Sequence, residues 1–122
     1  YYYLCDKMGI LVWQDMPSGF LEGQNENPGD VSEPVRRSKA KEQYELELRR
    51  MMNQLHNHPS IVTWVVQNEG WGQYDNARLA AWVKGLDPSR TVNAISGWND
   101  RSAGDFYDIH TYEPEPRAPE PK

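Results

Sequence analysis

Four short segments that read as strands in this chain each give way to residues that can bind a ligand or move a proton. ILVW (10–13) runs into Gln14-Asp15, and IVTWVV (61–66) into Gln67-Asn68-Glu69. Residues 91–95 run into Ser96-Gly97-Trp98-Asn99-Asp100, and residues 106–109 into His110-Thr111-Tyr112. Glu69 is the sharpest candidate. A carboxyl beside Trp71, at the mouth of a buried strand, is partly desolvated, which raises its pKa and suits a general acid. The competing reading is a surface glutamate that opens a loop. Asn68 donates and accepts hydrogen bonds at once, as recognition of a sugar hydroxyl requires. Trp71 and Trp98 offer flat faces that stack on a pyranose ring, although each taken singly fits core packing equally well. Asp15 reads as a ligand contact or as a structural acid tying the first strand end to a neighbour. His110 divides in the same way between a ligand contact and a hydrogen-bonded interior histidine.

Other chemistries find less support. His56 and His58 stand just before Pro59, at the far end of their strand from Glu69. A metal site needs more ligands at suitable spacing, so no metal is expected. No glycine-rich phosphate loop follows a strand, and no serine sits in a nucleophile elbow, so no cofactor is expected either. The single cysteine, Cys5, excludes an internal disulfide and falls on an apolar helical face, as a buried structural thiol does. A net charge of -5 leaves no basic footprint for nucleic acid. No apolar run approaches the length of a membrane span.

The elements that must position these residues follow from periodicity. Tyr1, Leu4, Cys5 and Met8 make one face of a helix that Gly9 stops. A second helix is expected over 39–55, with Tyr44, Leu48, Met51, Met52 and Leu55 inward and a Glu45–Arg49 pair outward. A third is expected over 77–84, capped by Asp75 or Asn76, with Leu79, Trp82, Val83 and Leu86 buried and Gly85 and Asp87-Pro88 stopping it. Helices alternating with strands imply a parallel sheet with helices outside. In such sheets ligands bind at the C-terminal strand edge, where all four polar ends fall. The 97–105 link is too short for a crossover helix. The Gly-, Asn-, Glu- and Pro-rich stretch from about 18 to 38 is long enough for a lid, a binding loop or disorder. The 122 residues suit one domain, expected over 1–112, and EPEPRAPEPK (113–122) reads as an extended surface tail.

HNHPSIVTWVVQNEGWG, Asp87-Pro88-Ser89-Arg90, DIHTY and the upstream CDKMGILVWQDMPSG together resemble the catalytic barrel of family 2 glycoside hydrolases, which include β-galactosidases, β-glucuronidases and β-mannosidases. The resemblance implies an α/β fold, a partial (β/α)8 TIM barrel of about four parallel strands, the third to the sixth, with outer helices. It implies retaining hydrolysis of β-glycosides, with a carbohydrate as the partner. It places the general acid/base on Glu69, a contact to the sugar 2-hydroxyl on Asn68, and a position near the nucleophile on Tyr112. Many members end the third strand in Asp-Glu, whereas this chain has Gln14-Asp15. Retention needs a second carboxyl about 5 Å from the first. The family's nucleophile ends the seventh strand, and Glu113, Glu115 and Glu120 match no nucleophile motif. The chain therefore reads as half a barrel that is inactive alone, with a tail leading to a missing strand. Its open strand edges would pair with the missing half or with each other. Two other readings fit the residues: a non-catalytic carbohydrate-binding remnant that uses Trp71, Trp98 and Tyr112 as platforms, and a structural half-domain that pairs with another chain. The opening inside a helix suggests a piece of a larger protein. Its compartment is open, and a periplasmic or extracellular one is compatible.

Overall fold

The computed structural model describes residues 1–17, 38–68, 73–97, 101–110, 112 and 114. The stretch read as a long loop, together with Glu69, Trp71, Trp98 and most of the Pro/Glu tail, lies outside the described residues. The elements run α1 (Tyr2–Met8), β1 (Val12–Asp15), α2 (Ser38–Leu55), β2 (Ile61–Val65), α3 (Asn76–Leu86) and β3 (Thr91–Asn93). The strands form one parallel sheet in the order β1-β2-β3, with α2 and α3 in the two crossovers. This is an open, partial α/β sheet of the expected kind.

β1 starts two residues later than its apolar run. Pairing decides this: Val12 N–H reaches Ser60 O at 2.8 Å, and Asp15 sits opposite Val65. Gln14 and Asp15 thus lie in the strand rather than beyond it. β2 is the central strand, and Ile61, Thr63, Trp64 and Val65 are all buried. Tyr44, Leu48, Met52 and Leu55 of α2 and Leu79, Ala80 and Val83 of α3 close the core over it.

Several local expectations yield to tertiary contacts. Gly9, at φ 70, stops α1, and Ile10 N–H bonds back to Cys5 O at 3.0 Å. Cys5 is buried as expected, but Tyr1, Leu4 and Met8 are 79%, 56% and 68% exposed. Periodicity identified the apolar face without saying what covers it. Glu45 pairs with Arg78 at 2.7 Å rather than with Arg49, whose guanidinium lies over the Trp82 ring at 5.2 Å. Asp75, at φ 44, is the N-cap residue of α3 but makes no side-chain capping bond, its carboxylate being held by Lys41 and Arg78 at 3.2 Å each. Gly85 lies inside α3, Leu86 is exposed, and Ala80 joins the buried stripe instead.

The fourth expected strand, 106–109, does not pair as one. Gly104 makes an antiparallel bridge to Asn93, Asp105 N–H bonds Val92 O at 2.7 Å, and the Asp105 carboxylate accepts Val92 N–H at 2.8 Å. Gly104 has φ 79, and a Cβ there would stand 2.6 Å from Val92 O, so only glycine fits. This tight turn takes the edge of β3 that a parallel neighbour would need. It follows from a link too short for a crossover. The chain then carries Phe106 across to Trp13, with ring centroids 4.7 Å apart.

At the N-terminal end of the sheet, Arg90 gathers several chain segments. Its guanidinium donates to Ile61 O (2.6 Å), His56 O (2.6 Å), His58 O (3.0 Å) and Asp87 Oδ2 (2.6 Å). Asp87 Oδ2 also accepts Trp64 Nε1–H at 2.9 Å, and Ser89 caps Oδ1. Burial pushes the Asp87 carboxyl up, but hydrogen bonds from Ser89, Trp64 and Arg90 outweigh it and hold it well below the usual carboxylate range.

Candidate active site

The C-terminal edge of the sheet brings three strand ends together. β2 continues through Val66 and Gln67, both fully buried, to the half-buried Asn68. Val66 N–H bonds Asn93 O at 2.9 Å, and Gln67 O accepts Ser96 N–H at 2.9 Å, so the β2 and β3 ends stay joined beyond the regular ladder. Tyr44 of α2 donates its hydroxyl to Val66 O from below.

The charged side chains gather beside this edge. Asn93 Nδ2 donates to Asp108 Oδ2 at 2.6 Å. His110 Nε2 lies 3.0 Å from Ser96 Oγ and 3.6 Å from Asp108 Oδ1. Its ring fills the space over Gly97, where a Cβ would stand 2.5 Å from Cγ. Ser96 and Asp108 meet the same nitrogen of His110, so these three residues do not form a Ser-His-Asp relay, which needs the acid on one ring nitrogen and the serine on the other. Asp15 has an elevated pKa. Desolvation at the sheet end pushes it up, the Asp108 charge adds to the rise, and His110 partly opposes it.

Asp15 and His110 are thus brought together with Asp108, beside the strand end that carries Asn68. Tyr112 is 75% exposed. Asp108, Asn93 and the buried pair Gln73 and Tyr74 escaped the reading of the sequence as site-forming residues. Only Asp108 left a signal, two residues before His110. Among the described residues, no group of three or more His, Cys, Asp or Glu is placed to hold a metal, and no helix is long and apolar enough to cross a membrane.

A charged Asp15 facing Asp108 costs stability. The folded chain binds its proton more tightly than the unfolded chain. The favourable contribution is therefore complete below the ordinary value of 3.8 and is lost as pH rises through the raised pKa. Asp15→Asn is expected to stabilise the fold at pH 7, seen as a higher melting temperature, by about 0.5 kcal/mol or less because water reaches the carboxyl and screens it. The gain should shrink toward pH 4. A drop in melting temperature at pH 7 would show that Asp15 is held by a favourable contact instead.

A parallel α/β sheet whose acidic and amide side chains collect at the C-terminal strand ends belongs to the class that includes the TIM barrels. Residues 1–114 match the family described as "Glycosyl hydrolases family 2, TIM barrel domain", and the chain belongs to that family. A β-galactosidase of Aeromonas hydrophila subsp. hydrophila is 33% identical over 97% of this chain and 12% of its own length. The structure of Bacteroides uniformis β-glucuronidase 3 superposes with a TM-score of 0.54 at 25% identity, over 75% of this chain and 12% of that one. An FMN-binding β-glucuronidase from Facaelibacterium prausnitzii L2-6 superposes with a TM-score of 0.56 at 27% identity, over 75% and 13%. The chain therefore spans about an eighth of the length of these relatives.

Proposed function

We propose that this chain carries the acid/base part of the catalytic centre of a retaining β-glycosidase. Glu69 protonates the leaving oxygen in the first step and activates water in the second. Asn68 binds the sugar 2-hydroxyl, Trp71 and Trp98 stack on the ring, and Asp15, His110 and Tyr112 complete the polar wall. Family membership supports this reading. The observation that carries it is the course of β2: buried through Gln67, it delivers Asn68 to the strand edge where Asp15, Asp108 and His110 collect. Glu69 is the next residue in the chain.

The nucleophile comes from a part of the parent enzyme beyond this chain, and so does most of the barrel. Purified alone, the chain is expected to release no aryl aglycone from β-galactosides or β-glucuronides above the uncatalysed rate. An enzyme-like rate that survives repurification would overturn this. The rest of the barrel would also cover β1, an edge strand among the described residues, and the exposed Tyr1, Leu4, Met8 and Leu11. Without that cover the isolated chain is expected to self-associate through this side. In the full-length enzyme, Glu69→Gln tests the acid/base role directly.

A further inference from the structure

The two ends of the span that begins at Glu69 are tied to each other by buried amide side chains. Gln67 is fully buried, and its Nε2 donates to Tyr74 O at 2.9 Å while its Oε1 accepts Tyr74 N–H at 3.3 Å. The side chain thus pairs with the Tyr74 backbone as a strand neighbour would. Gln73 is 1% exposed, and its Nε2 donates to Asn68 O at 2.7 Å. One glutamine reaches forward from before the span and the other reaches back from after it. Residues 68 and 73 are thereby fixed against each other, with four residues between them. The clasp is itself anchored to α2. Tyr74 packs edge-on to Tyr44 at 5.8 Å, and Tyr44 holds Val66 O.

We infer that Gln67 and Gln73 are positioning residues for Glu69, because they fix against each other the residues 68 and 73 that flank its span. This rests on the acid/base reading of Glu69. The physical case is the cost of the alternative. Two buried backbone groups, Tyr74 N–H and Tyr74 C=O, and the part-buried Asn68 C=O are bonded by these two side chains. A strand end can be polar without being locked, but these amides are buried and reciprocal, which favours a single geometry. Acid catalysis needs that, since the acid must stay within hydrogen-bond reach of the proton acceptor. A misplacement of about 1 Å can cost about a hundredfold in rate.

The test uses leaving-group dependence in the full-length enzyme. Protonation matters much for an alkyl leaving group and little for dinitrophenolate. The probes are methyl and 2,4-dinitrophenyl β-galactoside, with the matching β-glucuronide pair run in parallel, and the rate read is that of the first step under single-turnover conditions. Gln67→Met and Gln73→Met keep side-chain length and remove the amides. Each is expected to lower the rate for the methyl glycoside about tenfold or more relative to the dinitrophenyl glycoside. A ratio taken within one preparation is independent of the folded fraction, so a purely structural loss would not move it. Should one variant fail to fold, the other carries the test alone. An unchanged ratio in a folded Met variant, alongside a collapsed ratio in Glu69→Gln, overturns the clasp and leaves the acid/base reading standing. An unchanged ratio in Glu69→Gln overturns both.

Discussion

Glu69→Gln in the complete enzyme is expected to lower turnover of alkyl β-glycosides by ~10²–10⁴-fold, the usual contribution of a general acid/base. The amide is close to the carboxyl in size and hydrogen-bonds well, but it cannot deliver a proton. Retaining hydrolysis asks the same residue for help twice, so the two steps should fail differently. With a dinitrophenyl leaving group the first step needs little protonation and survives. The second step still needs a base to activate water. The glycosyl-enzyme should therefore accumulate, and dinitrophenolate should appear as a burst followed by a slow steady rate. In Glu69→Ala, azide should enter the vacated space, attack without a base and restore turnover, yielding a glycosyl azide of retained configuration. Thermal melting should stay near that of the parent protein. A variant that keeps methyl glycoside turnover within threefold of the parent, with no burst, would remove Glu69 from the mechanism.

The strand ends were legible because two kinds of signal coincide there. A buried strand reads as an apolar run, and its abrupt polar end is visible without knowing any contact. That is how Asn68 and Asp15 could be picked out as candidates, and His110 was marked by the same pattern although the segment before it forms no strand. What those side chains do was less visible. Gln67 looks like the first exposed residue after the strand, yet it is fully buried, because its amide finds the Tyr74 backbone seven residues on. No periodicity encodes such a bond. Residues 106–109 failed as a strand for a related reason. Their composition suits one, but strand identity needs a free partner edge, and Gly104 and Asp105 had already taken it. Local pairing rules met the same limit at Glu45, where Arg78 from α3 won over Arg49 one helical turn away.

Asp87-Pro88-Ser89-Arg90 shows the limit from the other side. In the sequence it reads as a helix stop and a family signature. In the structure it is the point where α3, the start of β2 and the end of α2 are bound together. Arg90→Met is expected to destabilise the fold by ~3–5 kcal/mol, the range for breaking a buried ion pair by removing one partner. The two side chains are only 12% and 13% exposed, so solvent replaces little of what is lost. Asp87 would keep its burial and the Trp64 and Ser89 contacts but lose the cation. The carbonyls of Ile61, His56 and His58 would lose their shared donor. Arg90→Lys should recover less than half of the loss. One ammonium cannot reproduce a planar fork that meets four acceptors from three directions, nor stack as well over Trp64, whose ring centre is 5.4 Å from the guanidinium carbon. Asp87→Leu paired with Arg90→Met should cost less than the sum of the two single changes, because the double variant leaves no unpaired charge behind. Urea unfolding of the parent and these four variants at pH 7 measures all of this. Arg90→Lys within ~0.5 kcal/mol of the parent chain would mean that charge alone, and not the fork, holds this end of the sheet. Because this cluster lies at the N-terminal end of the strands, its variants should reduce the yield of folded enzyme while leaving the methyl-to-dinitrophenyl rate ratio untouched, the opposite of what is expected from Gln67 and Gln73.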